Sequence, residues 1–568
     1  MPLLVLAASI ASYGQVAAPL PQIRQHGAVK QFYVDNKPFI MLSGELHNSS
    51  ASSPEYMKPK WDKLAGMHLN TVVGTASWEL VEPEEGRFDF TAVDAQIREA
   101  RLRKMRLVLI WFATWKNGGS GYVPHWVKSD QKRFPRMLLK PRPGGATREF
   151  GGQGGIGSLS PFGEESFKAD MKAFRALMRH IKAFDPQHTV IMMQVQNESG
   201  SLGDSRDRSP LAETAWRKAA PADLMSYLVK NRATLLPEIQ EVWARNGFKA
   251  EGTWAEVFGS DEWADEVFMA YHMGRYIGDI AKAGRAELNI PMYANAWLGP
   301  QPGQELPGQW PSGGPVARMM DVYRAAAPSL DLIAPDIYVP DFKGTCALYN
   351  RSGNPLFIPE AADKVGNLFW ALGHHAALGW SPFGIEDLNS DGQVAEAYKL
   401  LSTVLPQLVD WQAAGKVEAI LAPEGEKQTP ISLGGYKITL SVSRRWRPPT
   451  APTAPAGQPT PSAPAPVEPV LGPGGVSFGT RALPPDARLF ALVVNTAPDE
   501  FLFIGSNGVP TFEPGLPGTG RVAISAKDEG RFENGKWVGG RRLNGDESGS
   551  GLPSGSIGML KVKLVRLD

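Results

Sequence analysis

Between about residues 39 and 401 the chain alternates short apolar runs with longer segments of helical period, and this alternation constrains the fold more than any other feature. Eight such runs are countable, at 39–42, 69–73, 107–111, 190–195, 291–294, 330–334, 356–358 and 380–385. The segments between them, for example 54–66, 89–103, 162–184 and 261–283, rotate polar and apolar residues at helical spacing. Strands covered by helices on one side and by other strands' side chains on the other read as continuous apolar runs, because neither face meets water. Eight strands with helical spacers predict an α/β fold, a closed (β/α)8 TIM barrel rather than an open sheet.

A barrel of this kind does not use all 568 residues. After about Gly415 the texture changes to strand-like stretches at 437–443, 489–494, 522–525 and 560–567, interrupted by a proline-rich tract at about 447–474. The expected plan is an export signal over 1–18, a catalytic barrel over 19–412 and a smaller C-terminal β-sandwich-like domain over 413–568, with the proline-rich tract as a loop inside it. The signal is read from the apolar run Leu3-Leu4-Val5-Leu6-Ala7-Ala8 and the small residues that follow it, and it predicts a periplasmic or secreted protein. No later stretch is long and apolar enough to predict a membrane span.

Composition excludes several function classes. With 43% hydrophobic residues the chain has material for a large core, and its net charge of +1 supplies no field to hold nucleic acid or an anionic surface. The single cysteine, Cys346, forms no intramolecular disulfide and builds no cysteine metal site. Gly152-Gln153-Gly154-Gly155-Ile156-Gly157 fits a dinucleotide fingerprint in letters only, since no apolar strand precedes it. Asp387-Leu388-Asn389-Ser390-Asp391-Gly392 opens like a calcium loop but has Tyr398 at its twelfth position. His374 and His375 are adjacent and cannot face one metal from a helix, and no G-x-S-x-G elbow is present. No cofactor or metal is expected, and a neutral partner is.

Catalytic groups of such barrels sit just past the C-terminal strand ends. There two carboxylates stand out: Glu198, after the run that closes in Gln194-Val195-Gln196-Asn197, and Glu360, after Leu356-Phe357-Ile358-Pro359. A pair of carboxyls suits glycoside hydrolysis, in which a protonated one serves the leaving oxygen and an ionised one attacks the anomeric carbon.

Three motifs then make the chain resemble a known family. They are Ser43-Gly44-Glu45-Leu46-His47-Asn48 after the first run, Trp78-Glu79-Leu80-Val81-Glu82-Pro83-Glu84-Glu85-Gly86-Arg87-Phe88-Asp89-Phe90 after the second, and Gln194-Val195-Gln196-Asn197-Glu198 at the fourth. Over about residues 30 to 400 the chain resembles the retaining glycosidases of clan A, and among them bacterial β-galactosidases of glycoside hydrolase family 35 with an appended C-terminal β domain. The resemblance implies Glu198 as acid/base, Glu360 as nucleophile, Asn197 on the sugar 2-hydroxyl and Tyr338 as the tyrosine that bonds the nucleophile.

Two positions depart from the family pattern. Gln196 stands where many members carry Glu, and Ala113-Thr114-Trp115 replaces Ala-Glu-Trp, so a sugar-binding carboxylate is either absent or supplied elsewhere, with Glu45 and Glu79 the candidates to take it over. Trp78, Trp115 and Trp297, near strand ends, are the expected stacking platforms for a pyranose. The expected function is a retaining exo-acting β-galactosidase acting on plant-type oligosaccharides. The alternatives are a related glycosidase for another β-linked sugar, such as an arabinoside or fucoside, and a non-catalytic carbohydrate-binding protein. The C-terminal domain is a candidate surface for a homo-oligomer.

Overall fold

The computed structural model describes residues 18–141, 148–149, 155–422, 429–442, 486–516, 518 and 520–567. The expected export segment up to residue 17, the proline-rich tract at 447–474 and residues 152–154 of the glycine motif lie outside the described residues.

Eight parallel strands close into a barrel. They are β1 (Met41–Glu45), β2 (Thr71–Ser77), β3 (Arg106–Lys116), β4 (Val190–Asn197), β5 (Met292–Trp297), β6 (Leu332–Ile337), β7 (Ile358–Ala361) and β8 (Gly379–Pro382). Each of the eight apolar runs overlaps one of them, and they follow one another around the ring in chain order. The ring closes where Gly379 pairs with Met41 and Trp380 with Leu42. The buried Tyr398 hydroxyl bridges this seam, within 2.5 Å of the Ser43 carbonyl oxygen and 3.1 Å of that of Trp380.

One end of the barrel is plugged. A three-stranded antiparallel sheet of Gln22–His26, Val29–Val34 and Lys37–Phe39 leads into β1, and its Phe32 and Val34 join Met41, Val108, Leu332 and Leu378 in a buried cluster inside the ring. Apolar side chains thus seal the end where the strands begin, and the opposite rim is left for chemistry.

Helices wrap the outside. Helix α1 (Glu164–Phe184) buries Phe174, Leu177, Met178 and Ile181 at three- and four-residue spacing, the stripe an outer helix needs against a sheet. Helix α2 (Glu262–Glu287) starts with the Asp261 side chain accepting from the Ala264 amide. The two approach so closely that a Cβ on Gly284 would lie 2.4 Å from the Phe174 ring. Between β4 and α2 the chain adds four short helices, and ion pairs of Arg206 and Arg208 with Asp265 pin this excursion to α2.

Beyond the barrel, all strand pairing among the described residues is antiparallel. A six-stranded sheet runs in the order Val417–Ala422, Leu489–Ala497, Glu500–Ser506, Gly558–Leu567, Arg521–Glu533, Lys536–Arg542, beside a three-stranded sheet of Ile431–Leu433, Tyr436–Val442 and Gly508–Pro514. The strand period of two divides Leu489–Ala497: Leu489, Ala491 and Val493 pack with Ile438 and Leu440 of the smaller sheet, whereas Phe490, Leu492 and Val494 join the barrel's core. Phe490 meets Phe369 of the helix Val365–His374 with ring centroids 5.0 Å apart. This strand of the larger sheet is therefore buried on both faces, one against the barrel. Replacing Phe490 with Ala is expected to destabilise the protein by about 3–5 kcal/mol, read as a lower denaturation midpoint. An unchanged midpoint would mean that this contact does not couple the two units.

Candidate active site

Because the strands are parallel and in register, their C-terminal residues meet on one rim. Asp336 of β6 lies opposite Glu360 of β7, and Lys116 of β3 lies opposite Asn197 of β4, with Glu198 next in the chain. Glu45 ends β1. Glu198 and Glu360 are 8% and 7% exposed, and Glu45, Lys116 and Asp336 are at least as deeply buried. The local backbone at β4 is strained to achieve this: Gln196 has φ +66° and Glu198 has φ +44°, a region that residues with a Cβ seldom enter. Such strain persists only where surrounding contacts hold it, and the Glu198 amide is held, donating to Asn295 Oδ1 at 3.1 Å.

Burial and neighbouring charges shift pKa values within this cluster. Burial pushes the Glu198 carboxyl up to about 7, with the positive charge of Lys116 opposing the rise and the negative charge of Glu360 adding to it. Burial and then the charge of Glu360 drive Glu45 and Asp336 well above the usual carboxylate range. Burial by itself would lower the Lys116 pKa, but the four carboxyls outweigh it and hold the ammonium protonated. Glu198 reaches Asp336 within hydrogen-bonding range, and Asp336 Oδ2 accepts from Asn295 Nδ2 at 2.6 Å. Two carboxyls bond to each other only when one carries a proton, so this pair shares one and titrates as a unit.

Glu360 has a different surrounding. It accepts from the Tyr338 hydroxyl at 2.7 Å, which is the contact the resemblance implies for Tyr338. The Tyr338 ring is 40% exposed, yet its hydroxyl end lies among the carboxyls, and burial followed by the charge of Glu360 raises its pKa far above that of a free tyrosine. Several buried polar atoms around the cluster have no protein partner: Glu45 Oε1, Glu360 Oε2, both amide atoms of Asn197, Asn48 Oδ1 and the Tyr293 hydroxyl. Buried donors and acceptors are ordinarily bonded, so this concentration at one place matches a site built for a ligand rich in hydroxyls.

The two departures from the family pattern prove to be joined. Thr114 Oγ1 and Gln196 Nε2 each donate to Asp170 Oδ2 at 2.6 Å, Trp111 Nε1 donates to its Oδ1 at 2.7 Å, and the Tyr276 hydroxyl lies 3.3 Å from Oδ2. Gln196 Oε1 also accepts from the Trp115 amide at 3.0 Å. Asp170 comes from α1, behind the strands, and burial lifts its pKa to about 6 against these four donors. A carboxylate from the helix layer thus anchors β3 and β4 beside Glu198.

Not every expected residue is in this cluster. Trp78 and Trp115 are fully buried, with Trp78 Nε1 donating to Glu82 and Trp115 Nε1 to the Leu159 carbonyl; neither offers a ring face to a sugar, and both expectations are corrected to core packing. Trp297, half-buried at the end of β5, keeps a surface for stacking. Glu79 is corrected too: it pairs with Lys128 at 2.8 Å in a partly exposed bridge and does not act on the carboxyl cluster, whereas Glu45 lies inside it. Lys116 and Asp336 were missed as functional residues. Both are charged residues that close an otherwise apolar strand, the signal that singled out Glu198 and Glu360, but a search limited to glutamates passes over them.

The raised pKa of Glu198 has a consequence for stability. Between pH 4.5 and about 7 the folded chain keeps a proton on this carboxyl that an unfolded chain has released, so stability is fullest below the lower value and falls as pH rises toward the upper one. Glu198→Gln is expected to flatten that slope in urea titrations at pH 5 and 7. An unaltered slope would count against a buried, protonated Glu198.

Among the described residues no group of three His, Cys, Asp or Glu side chains is placed to hold a metal ion, and no helix is long and apolar enough to cross a membrane. Residues 49–263 match the family 42 glycoside hydrolase model, described as Beta-galactosidase, and residues 394–553 match a domain of unknown function, DUF5597. A β-galactosidase of Xanthomonas manihotis is 34% identical over 215 residues, which cover 35% of this chain and 30% of that protein, so less than a third of the relative's length is matched. Solved structures with a likeness include a β-galactosidase from Bacillus circulans sp. alkalophilus, at 18% identity and a TM-score of 0.41 over 65% of this chain and 57% of that one. Another is a β-mannanase from the blue mussel Mytilus edulis, at 11% identity and a TM-score of 0.39 over 68% and 97%. Structural likeness of this size carries no argument about activity. The matching model points to family 42 rather than to the family 35 that the motifs resemble, while the broader resemblance is compatible with both. Over residues 49–263 the barrel is thus similar to glycoside hydrolases described as β-galactosidases.

Proposed function

We propose that this chain is a retaining, exo-acting β-galactosidase that removes terminal β-galactosyl units from plant-type oligosaccharides. The observation that carries the reading is the division of one carboxyl pair into two environments. Glu198, with its pKa near 7 and a proton shared with Asp336, suits a general acid, and Glu360, bonded by Tyr338 and facing Lys116, suits an ionised nucleophile. A Glu360 oxygen attacks the anomeric carbon as the bond to the leaving oxygen breaks, and Glu198 gives that oxygen its proton. In the second step Glu198 takes a proton from water, the water oxygen attacks the same carbon, and Glu360 leaves. Asn197, with both amide atoms unpartnered, suits a ring hydroxyl, and the half-buried Trp297 suits the apolar sugar face. A net charge of +1 suits a neutral substrate.

Nitrophenyl glycosides test the sugar. The β-galactoside is expected to be hydrolysed faster than the β-glucoside, α-arabinoside or β-fucoside, and a clear preference for one of those would replace galactose. Mass spectrometry after a 2-deoxy-2-fluoro galactoside is expected to find the label on Glu360; label elsewhere, or inversion seen by NMR, defeats the double displacement. Glu198→Gln should lower kcat/KM by about 10²–10⁴-fold, least for the best leaving groups, and remove the alkaline limb near pH 7.

A further inference from the structure

Lys116 is a residue of the pocket whose chemistry the reaction above does not use directly. It closes β3, two residues after the Thr114 that stands where the family pattern has a sugar-binding glutamate. The residue is 5% exposed, yet its ammonium makes no direct ion pair or hydrogen bond among the described residues; its recorded neighbour is the Phe112 ring, with Nζ 5.3 Å from the centroid. A buried ammonium ordinarily finds a carboxylate at close range, because desolvating it unpaired is costly. Here Glu45, Glu198, Asp336 and Glu360 face it from β1, β4, β6 and β7. It feels the charge of four carboxyls and, among the described residues, is bonded to none of them.

The acceptors it lacks within the protein match what a sugar supplies. An ammonium carries three N–H donors and no acceptor, and among the polar atoms left unpartnered around it Glu45 Oε1, Glu360 Oε2 and Asn197 Oδ1 are acceptors, beside the donor Asn197 Nδ2 and the Tyr293 hydroxyl. A polyhydroxylated ring between them would both accept from Lys116 and donate to these oxygens. We infer that Lys116 is a substrate-facing specificity residue, donating to a hydroxyl of the sugar held between Glu198 and Glu360 and supplying the pocket's positive charge in the place where the family pattern puts a carboxylate. This rests on the hydrolase reading.

The charge role has a definite sign. The titratable groups that act on Lys116 or feel its charge are Glu45, Glu198, Asp336, Glu360 and Tyr122, and next to those carboxyls stand Tyr338, Tyr293 and Glu386. Removing a cation from among carboxyls raises their pKa values together, so both limbs of a bell-shaped kcat/KM profile move to higher pH. A merely structural lysine would leave the limbs in place.

The test compares wild type, Lys116→Met and Lys116→Arg on nitrophenyl β-galactoside and its 2-, 3-, 4- and 6-deoxy forms. Lys116→Met is expected to lower kcat/KM by about 10- to 150-fold, the range for one hydrogen bond to a charged group. It should also shift both limbs upward and abolish the penalty that wild type shows for one particular deoxy sugar, while Lys116→Arg keeps the limbs but alters that penalty. Unmoved limbs with unchanged deoxy penalties in Lys116→Met overturn the inference, and an unchanged deoxy pattern in Lys116→Arg overturns it if Lys116→Met does not fold. Wild type inert toward every glycoside defeats the hydrolase reading separately. Calorimetric binding of galactose and its deoxy forms then decides on Lys116: weaker binding by Lys116→Met sustains the inference, and equal or absent binding in both proteins ends it.

Discussion

Four carboxyls and one ammonium held together out of water set the terms for the rest of this molecule. Like charges repel in such a place, so the carboxyls hold their protons more tightly than free ones: burial and the charge of Glu360 raise Glu45 and Asp336, burial lifts Glu198 to about 7, and the carboxyls together keep Lys116 charged. The arrangement only works on a frame that cannot relax by moving a carboxyl toward solvent. The eight-strand ring, sealed at its other end by Phe32 and Val34, is that frame, because interior side chains packed to crystal-like density leave the rim residues little room to retreat.

Support extends outward in layers. Asp170, brought by the helix layer, gathers Trp111, Thr114, Gln196 and Tyr276 from three elements, and so ties β3 and β4 to each other and to α1 and α2. The strained backbone of Gln196 and Glu198 lies between this buried anchor and the Asn295 bond to the Glu198 amide. Strain at a carboxyl that is clamped on both sides implies a fixed direction for that carboxyl, which the proposed acid role requires. The C-terminal sheet adds a further layer by burying Phe490 against Phe369, on the far side of a helix from the pocket.

Much of this was legible along the chain. All eight strands announce themselves as apolar runs, since a strand covered on both faces has no reason to alternate, and the carboxylates that end β4 and β7 are visible as charges placed where apolar sequence stops. The two-residue period of Leu489–Ala497 is legible only as strand, because both of its faces are buried and the pattern does not say against what. Aromatic residues were the weakest guide. Trp78, Trp115 and Trp297 all stand near strand ends, but only the direction of each side chain separates a ring sealed in the core from one at the mouth, and that direction is set by neighbours far away in sequence such as Leu159 and Tyr276.

What the sequence by itself determined is therefore the periodic and the local: a ring of eight strands, a β domain after it, and charged residues at the strand ends. The tertiary structure decided which of those charges meet. Glu45 and Glu79 look alike in the chain, yet one is buried amid carboxyls and the other is paired with Lys128 at the rim. Thr114 and Gln196 read as two separate losses of a carboxylate, and folding joins them on Asp170, 56 and 26 residues away. Lys116 reads as an ordinary surface lysine until four strands bring their acids around it. The physical reason is that burial and charge proximity act through distance and dielectric, which depend on where strands lie in space, whereas spacing along the chain reports only what adjacent residues share.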